Sequence, residues 1–169
     1  MNNIYLTGFM CSGKTVVSKH LSKLLNKKHI DTDDFIELNL DMKINDIFDL
    51  YGEEYFRIIE SAALKRISTE AGIIVSTGGG IVLKKENREL MKKTGKIIAL
   101  MPEFSVIESR IKKGSSTRPL LRDDISKIRQ RYETRQEFYM DCDFCIHIDK
   151  NKTVDDIANE IKAYICEEK

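Results

Sequence analysis

The stretch Gly8–Thr15, which reads Gly-Phe-Met-Cys-Ser-Gly-Lys-Thr, fits the pattern G-x-x-x-x-G-K-[ST] of a phosphate-binding loop at every fixed position. Residues 3–7 before it are apolar and partly β-branched, which predicts a short buried strand. After it, apolar side chains recur every three or four positions as far as Asn26, which predicts an amphipathic helix. The motif therefore stands where a strand turns into a helix, and this is the setting that a P-loop requires.

Each fixed position of this loop has a chemical role. Two glycines let the backbone bend, so that successive N–H groups line a concave anion site at the positive end of a helix. The lysine reaches the β- and γ-phosphates, and the hydroxyl that follows it ligates Mg²⁺. The alternative is a glycine-containing turn before an ordinary helix. We predict a site for ATP and Mg²⁺ formed by Gly8, Met10, Cys11, Ser12, Gly13, Lys14, Thr15 and Val16.

Length and charge restrict the class of protein. A chain of 169 residues is expected to form a single domain over residues 1–169. Lys and Arg total 28 against 27 Asp and Glu, so a net charge of +1 gives no reason to expect nucleic acid or an acidic membrane as partner. No apolar run approaches 18 residues and no basic-then-apolar leader precedes the P-loop, so we expect a cytoplasmic protein, and a monomer.

The rest of the chain alternates between strand and helix patterns, which predicts α/β architecture with a parallel sheet. A second strand is expected to end at Asp31, and a helical insertion over 44–67 is expected to break at Gly52. The remaining strands are predicted at 73–76, 96–101 and 144–148, and the remaining helices at 35–40, 84–93, 103–112, 125–140 and 154–165.

Two aspartates follow the second strand. Asp31 and Asp33 are two residues apart, so in an extended segment both carboxylates point into one crevice, beside the P-loop. One is expected to hold Mg²⁺ while the other accepts a hydrogen bond from an attacking hydroxyl. The alternative is structural: Asp33 caps a helix that begins near Phe35.

The insertion and the third strand contribute candidates for a second substrate. Arg57 and Glu60 lie on one helical face, so Glu60 can brace a guanidinium that binds a planar anion, although a solvated ion pair fits the spacing equally well. Gly78-Gly79-Gly80 ends the strongest β pattern in the chain and leaves bare backbone for a ligand to approach. A flexible connector is the alternative for this glycine run.

Residues 112–124 are polar, basic and interrupted by Gly and Pro, which is typical of a mobile lid. Within this segment, Arg118 is the residue expected to bring its positive charge to the transferring phosphoryl group. A solvated surface loop is the alternative.

Taken in order, the P-loop, Asp31-Thr32-Asp33, Phe56-Arg57-x-x-Glu60, the glycine run and Thr117-Arg118-Pro119-Leu120-Leu121 resemble the shikimate kinase family over nearly the whole chain. The resemblance implies an adenylate-kinase-like three-layer α/β/α fold with a five-stranded parallel sheet of order 2-3-1-4-5. It also implies a substrate-binding region at about 32–62, a lid at about 112–124, and transfer of the γ-phosphoryl group of ATP to the 3-hydroxyl of shikimate in aromatic amino-acid biosynthesis.

The resemblance also assigns roles to individual residues. By position, Asp33 corresponds to the residue that engages the hydroxyl, and Thr15 and Asp31 to the Mg²⁺ partners. Shikimate is then held by Arg57, Arg135 and the backbone of Gly79 and Gly80, with the two arginines on its carboxylate. Lys14, Asp33 and Arg118 are the expected catalytic residues, and Arg110 is the candidate for stacking on adenine.

Three alternatives remain open at this stage. A kinase of the same fold for gluconate or a nucleoside monophosphate fits an arginine pair as well, because arginines bind phosphate too. A GTPase-like switch lacks its N-K-x-D element, since Asn26-Lys27-Lys28-His29 fails at the last position. A catalytically silent relative is opposed by the intact Lys14 and Asp33.

Overall fold

The computed structural model describes residues 2–113 and 124–167, in which helices cover both faces of a parallel sheet. Its strands are β1 (Asn3–Gly8), β2 (His29–Asp31), β3 (Ile74–Ser76), β4 (Gly95–Pro102) and β5 (Phe144–Ile148). They pair in the order β2-β3-β1-β4-β5, and every pairing is parallel. The predicted fold class and strand order are therefore confirmed.

Seven helices lie between or after the strands within the described residues: α1 (Lys14–Leu25), α2 (Thr32–Leu40), α3 (Ile44–Ile67), α4 (Lys85–Thr94), α5 (Phe104–Lys112), α6 (Ile125–Tyr139) and α7 (Val154–Glu167). A short 3₁₀ turn, Ile81–Leu83, separates the glycine run from α4 and was not predicted. None of the described helices is long and apolar enough to cross a bilayer. Most of the predicted lid, 114–123 with Arg118, lies outside the described residues.

Alternating side chains along the strands build two cores, one on each face of the sheet. In β1, Ile4 and Leu6 face a core completed by α1 and α7, whereas Tyr5 faces a core completed by α3, α4, α5 and α6. This alternation follows from the two-residue period of a strand. Both faces of the central strands are therefore covered, and ligands can reach the sheet only at its ends.

The insertion forms a small subdomain of its own against one end of the sheet. Ile36, Ile47, Phe56 and Ala63 of α2 and α3 pack into a separate apolar cluster. Within α3, Gly52 adopts non-helical angles (φ 80°, ψ 172°), so the helix is kinked at the predicted position. The left-handed φ suits glycine, and after the kink α3 runs from Arg57, beside Gly80, to Ile67 in the core on one face of the sheet.

Candidate active site

The P-loop has the backbone geometry that its glycines permit. Gly8 lies at a φ of 142°, and a Cβ atom there would stand 2.5 Å from the carbonyl oxygen of Leu100 in β4. Gly13 is the N-cap of α1 with a φ of 98°. A larger residue at either position would strain the turn, because L side chains rarely adopt such angles. The loop therefore opens directly onto the N-terminus of α1, as predicted.

Lys14 is folded over the loop. Its Nζ donates to the carbonyl oxygens of Gly8 at 2.8 Å and Phe9 at 2.9 Å, and approaches Ser12 Oγ at 3.3 Å. The side chain is almost fully buried. A buried ammonium group gains from an anion, so these contacts with neutral oxygens suit the exchange of carbonyl oxygens for phosphate oxygens.

The proposed metal ligands lie together. Thr15 Oγ1 donates to Asp31 Oδ2 at 2.8 Å, so the end of β2 meets the start of α1. Ser76 Oγ lies 3.4 Å from Thr15 Oγ1, and Ser76 is the register partner of Asp31 in the sheet. Ser76 was not predicted as a site residue, because its approach to Thr15 depends on which strands are neighbours in the sheet. One carboxylate and two hydroxyls form a hard oxygen donor set, which fits Mg²⁺.

The backbone structure around Asp33 differs from the prediction. The segment after β2 is not extended: α2 begins at Thr32, and Asp31 is its N-cap, accepting from the backbone N–H of Asp33 at 3.0 Å. Asp33 is therefore in the first helical turn and does not cap the helix, so both earlier interpretations of its local structure were wrong. A capping carboxylate satisfies an otherwise unbonded N–H, and this starts the helix one turn earlier.

Asp33 nevertheless lies beside the glycine run, and both line a cavity of about 390 Å³. A Cβ atom on Gly78 would stand 3.0 Å from Asp33 Oδ1. The cavity brings together the residues predicted for the second substrate, although they come from four separate segments: Asp33, Arg57, Gly79, Gly80 and Arg135. It is also lined by Met10 of the P-loop, so the acceptor cavity adjoins the nucleotide loop.

Arg57 is held in place by two glutamates. Its Nη1 donates to the buried Glu60 at 2.7 Å, and its Nη2 and Nε donate to the exposed Glu53 at 2.8 and 3.3 Å. Burial opposes the charge of Arg57, but Glu60 and Glu53 outweigh it, so the pKa of Arg57 is raised. For Glu60 burial dominates and raises the pKa of that carboxyl. The predicted bracing of Arg57 by Glu60 agrees with these contacts, whereas the hydrogen bonds from Arg57 to Glu53 were not predicted.

Arg135 enters the cavity from α6. Its side chain is only 9 % exposed, and its Nη2 lies 3.8 Å from Glu53 Oε1. Burial lowers the pKa of Arg135, and the neighbouring Arg57 lowers it further. Both guanidinium groups line one cavity, so each can donate a charge-assisted hydrogen bond to an anion bound there.

The glycine run is fixed against both substrate regions. A Cβ atom at Gly79 would stand 3.3 Å from the backbone N of Met10, and one at Gly80 would overlap the Arg57 guanidinium. Tyr139 donates its hydroxyl to the carbonyl oxygen of Gly79 at 2.5 Å. Burial raises the pKa of Tyr139, so the phenol keeps the proton it donates. The glycine run is therefore packed tightly between the P-loop and Arg57, so the alternative of a flexible connector is wrong.

A second cavity, of about 400 Å³, lies on the outer side of the P-loop. Arg110 Nη1 donates to the carbonyl oxygen of Cys11 at 2.7 Å, which places the adenine candidate at the rim of this cavity. The cavity is also lined by Lys152, just before α7, and by Val154 and Ile157 at the start of that helix. These three were missed because nothing in their local sequence marks a nucleotide contact.

Comparison with known proteins is consistent with this geometry. The family model described as shikimate kinase matches residues 10–166. The shikimate kinase of Sulfurihydrogenibium sp. (strain YO3AOP1) is 43% identical over 161 residues, covering 95% of this chain and 96% of that protein. The shikimate kinase of Thermoanaerobacter pseudethanolicus is 40% identical over 168 residues, covering 98% and 97%. The structure of shikimate kinase from Acinetobacter baumannii in complex with shikimate superposes with a TM-score of 0.93 at 30% identity, covering 100% of this chain and 95% of that one.

Proposed function

This chain belongs to the shikimate kinase family, and from that premise we propose that it transfers the γ-phosphoryl group of ATP to the 3-hydroxyl of shikimate, giving shikimate 3-phosphate and ADP. It is an ATP-dependent phosphotransferase. One observation supports the assignment of roles most strongly: the cavity lined by Asp33, Arg57 and Arg135 also contacts Met10 of the P-loop. An acceptor bound there has its hydroxyl close to a nucleotide bound in the loop. We extend the proposal to a monomer, because every residue invoked for both substrates belongs to one chain, and we further propose that it works in the cytoplasm.

Asp33 is the residue we assign to the hydroxyl. Its carboxylate accepts the hydroxyl proton as the oxygen attacks the γ-phosphorus, and the bond from that phosphorus to the β–γ bridging oxygen breaks. Phosphoryl transfer requires little covalent chemistry from the protein, so the main contribution of Asp33 is to orient the nucleophile in line with the leaving group.

The arginines are assigned to the carboxylate of shikimate. Arg57 keeps its charge because of Glu60 and Glu53, and Arg135 faces the same cavity from α6. Glu60 Oε1 is buried and has no hydrogen-bond partner among the described residues, so it can accept from a ring hydroxyl. A carboxylate at one end of the ligand and hydroxyls at the other match this distribution of donors and acceptors.

The P-loop is assigned to the phosphates. Lys14 and the backbone N–H groups at the start of α1 stabilise the charge on the β- and γ-phosphates, and Arg118 from the lid is predicted to join them. Thr15 and Asp31 would hold Mg²⁺, with Ser76 beside them. Bound there, the ion would supply positive charge to the phosphate oxygens.

The test of this function is an ADP-release assay with a panel of acceptors. Purified protein is given ATP and Mg²⁺ with shikimate, gluconate or a nucleoside monophosphate, each over the same concentration range. We expect turnover with shikimate and at least a hundredfold lower kcat/KM with the other two. Preferred turnover of gluconate or a monophosphate would refute the assignment.

We predict that Gly80→Ala raises the KM for shikimate about tenfold or more, because the added methyl group would overlap Arg57. The φ of Gly80 is −101°, which alanine adopts without strain, so the substitution tests the contact and not the backbone. Steady-state kinetics measure the effect, with the KM for ATP as the internal control. An unchanged KM for shikimate would contradict the placement of its carboxylate at Arg57.

A further inference from the structure

Glu53 Oε1 stands between the two arginines of the acceptor cavity. It accepts from Arg57 at 2.8 and 3.3 Å and lies 3.8 Å from Arg135 Nη2. Arg57 belongs to α3 and Arg135 to α6, so one carboxylate oxygen faces guanidinium groups from two separate elements. An ordinary ion pair at i,i+4 spacing along a helix accounts for the contact with Arg57 but not for the approach to Arg135.

From this arrangement we infer that Glu53 is an internal competitor of the substrate, and that its carboxylate takes the place of the shikimate carboxylate between Arg57 and Arg135 until shikimate displaces it. The inference rests on the proposed function, because it takes the two arginines as the carboxylate site. Glu53 would then oppose substrate binding, whereas the other residues of the site promote it.

The surroundings of Glu53 suit displacement. Its side chain is 45% exposed, whereas Glu60, the other partner of Arg57, is 1% exposed. An exposed carboxylate recovers its hydration when it leaves, but a buried one would not, so an incoming anion removes Glu53 and leaves Glu60 in place. Glu53 also follows Gly52 directly, and the left-handed angles of that glycine end the helical constraint just before it.

Competition of this kind has a functional consequence. With Glu53 in position, Glu53 and Glu60 together balance the charge of the two guanidinium groups in the absence of substrate, so these groups attract small inorganic anions less. Shikimate must gain enough from its hydroxyls to replace Glu53, and a ligand that offers only a carboxylate does not. Glu53 therefore contributes to selectivity at the cost of affinity.

The experiment compares Glu53→Gln and Glu53→Ala with the wild type by calorimetric titration of shikimate. Glu54→Gln is the matched control, because Glu54 is the exposed neighbour and loses the same charge. We expect both Glu53 variants to bind shikimate about fivefold more tightly, which is about 1 kcal/mol and the upper end for an exposed ion pair. Glu54→Gln should bind as the wild type does, and thermal melts check that every variant is folded.

A second ligand separates competition from a structural effect. The methyl ester of shikimate keeps the ring and hydroxyls but has no charge to place between the arginines, so its affinity should be the same in all four proteins. Tighter binding of shikimate should appear as a lower KM with kcat unchanged.

Four results would overturn the inference. Weaker binding of shikimate by the Glu53 variants would mean that Glu53 holds Arg57 in its binding orientation, and equal gains for shikimate and its ester would mean a general loosening of the site. A wild-type protein that does not phosphorylate shikimate would overturn the proposed function, and this inference with it. A wild-type protein that does so, with Glu53 variants of unchanged affinity, would overturn the inference alone.

Discussion

Asp33→Asn is expected to lower kcat for shikimate phosphorylation by about three orders of magnitude, within the range measured for loss of a general base. The amide keeps the size of the side chain but cannot accept the proton of the attacking hydroxyl. Because Asp31 caps α2, the helix keeps its start, and the stability lost should not exceed about 1 kcal/mol from the helix dipole. Single-turnover kinetics measure the chemical step directly, and denaturant titration measures stability.

The matched control for Asp33 is Asp34→Asn. Both residues lie in the first turn of α2, so both substitutions remove one negative charge from the same helix terminus. Asp34 is exposed, and its variant should keep kcat within tenfold of the wild type. Similar losses in both variants would indicate an effect of overall charge or helix stability, and Asp33 would lose its assigned role.

Lys14→Met should reduce kcat by roughly a factor of a thousand, because one preorganised donor to a developing charge contributes about that much. Methionine fills a similar volume and carries no charge. The variant also removes the donor to the carbonyl oxygens of Gly8 and Phe9, so the loop should bind ATP more weakly even before the chemical step. Fluorescence titration with a nucleotide analogue and single-turnover kinetics separate these two losses.

Lys19→Met is the control for Lys14, since Lys19 is an exposed lysine on the same helix, α1. Its loss changes the net charge equally but removes no contact with the P-loop, so rate and ATP affinity should be close to those of the wild type. If Lys14→Met kept its rate within tenfold of the wild type, phosphate stabilisation would have to come from other groups.

Some of these conclusions were accessible from local sequence patterns. Short strands show a two-residue period and helices a period of 3.6, so the alternation of elements and the kink at Gly52 could be predicted without knowledge of the fold. The P-loop could be identified because its phosphate contacts come from one continuous segment. Arg57 with Glu60 is also a local pair, and the geometry of α3 alone brings them together.

The start of α2 shows where local patterns mislead. Two acidic residues after a strand permit an extended crevice or a helix cap, and the sequence offers no means of choosing between them. In the structure the cap of α2 is Asp31, which is also the hydrogen-bond partner of Thr15, because its two oxygens point to different neighbours.

The sequence by itself determined the P-loop and the parallel α/β architecture, and its resemblance to a family supplied the residues that we propose for the acceptor site. Only the tertiary structure decided that Ser76 lies beside Thr15, that Lys152 faces the nucleotide loop, and that Glu53 lies between Arg57 and Arg135. The physical reason is sequence separation: contacts within one helix follow from its period, whereas contacts between elements depend on strand order, register and helix packing, which local patterns do not encode.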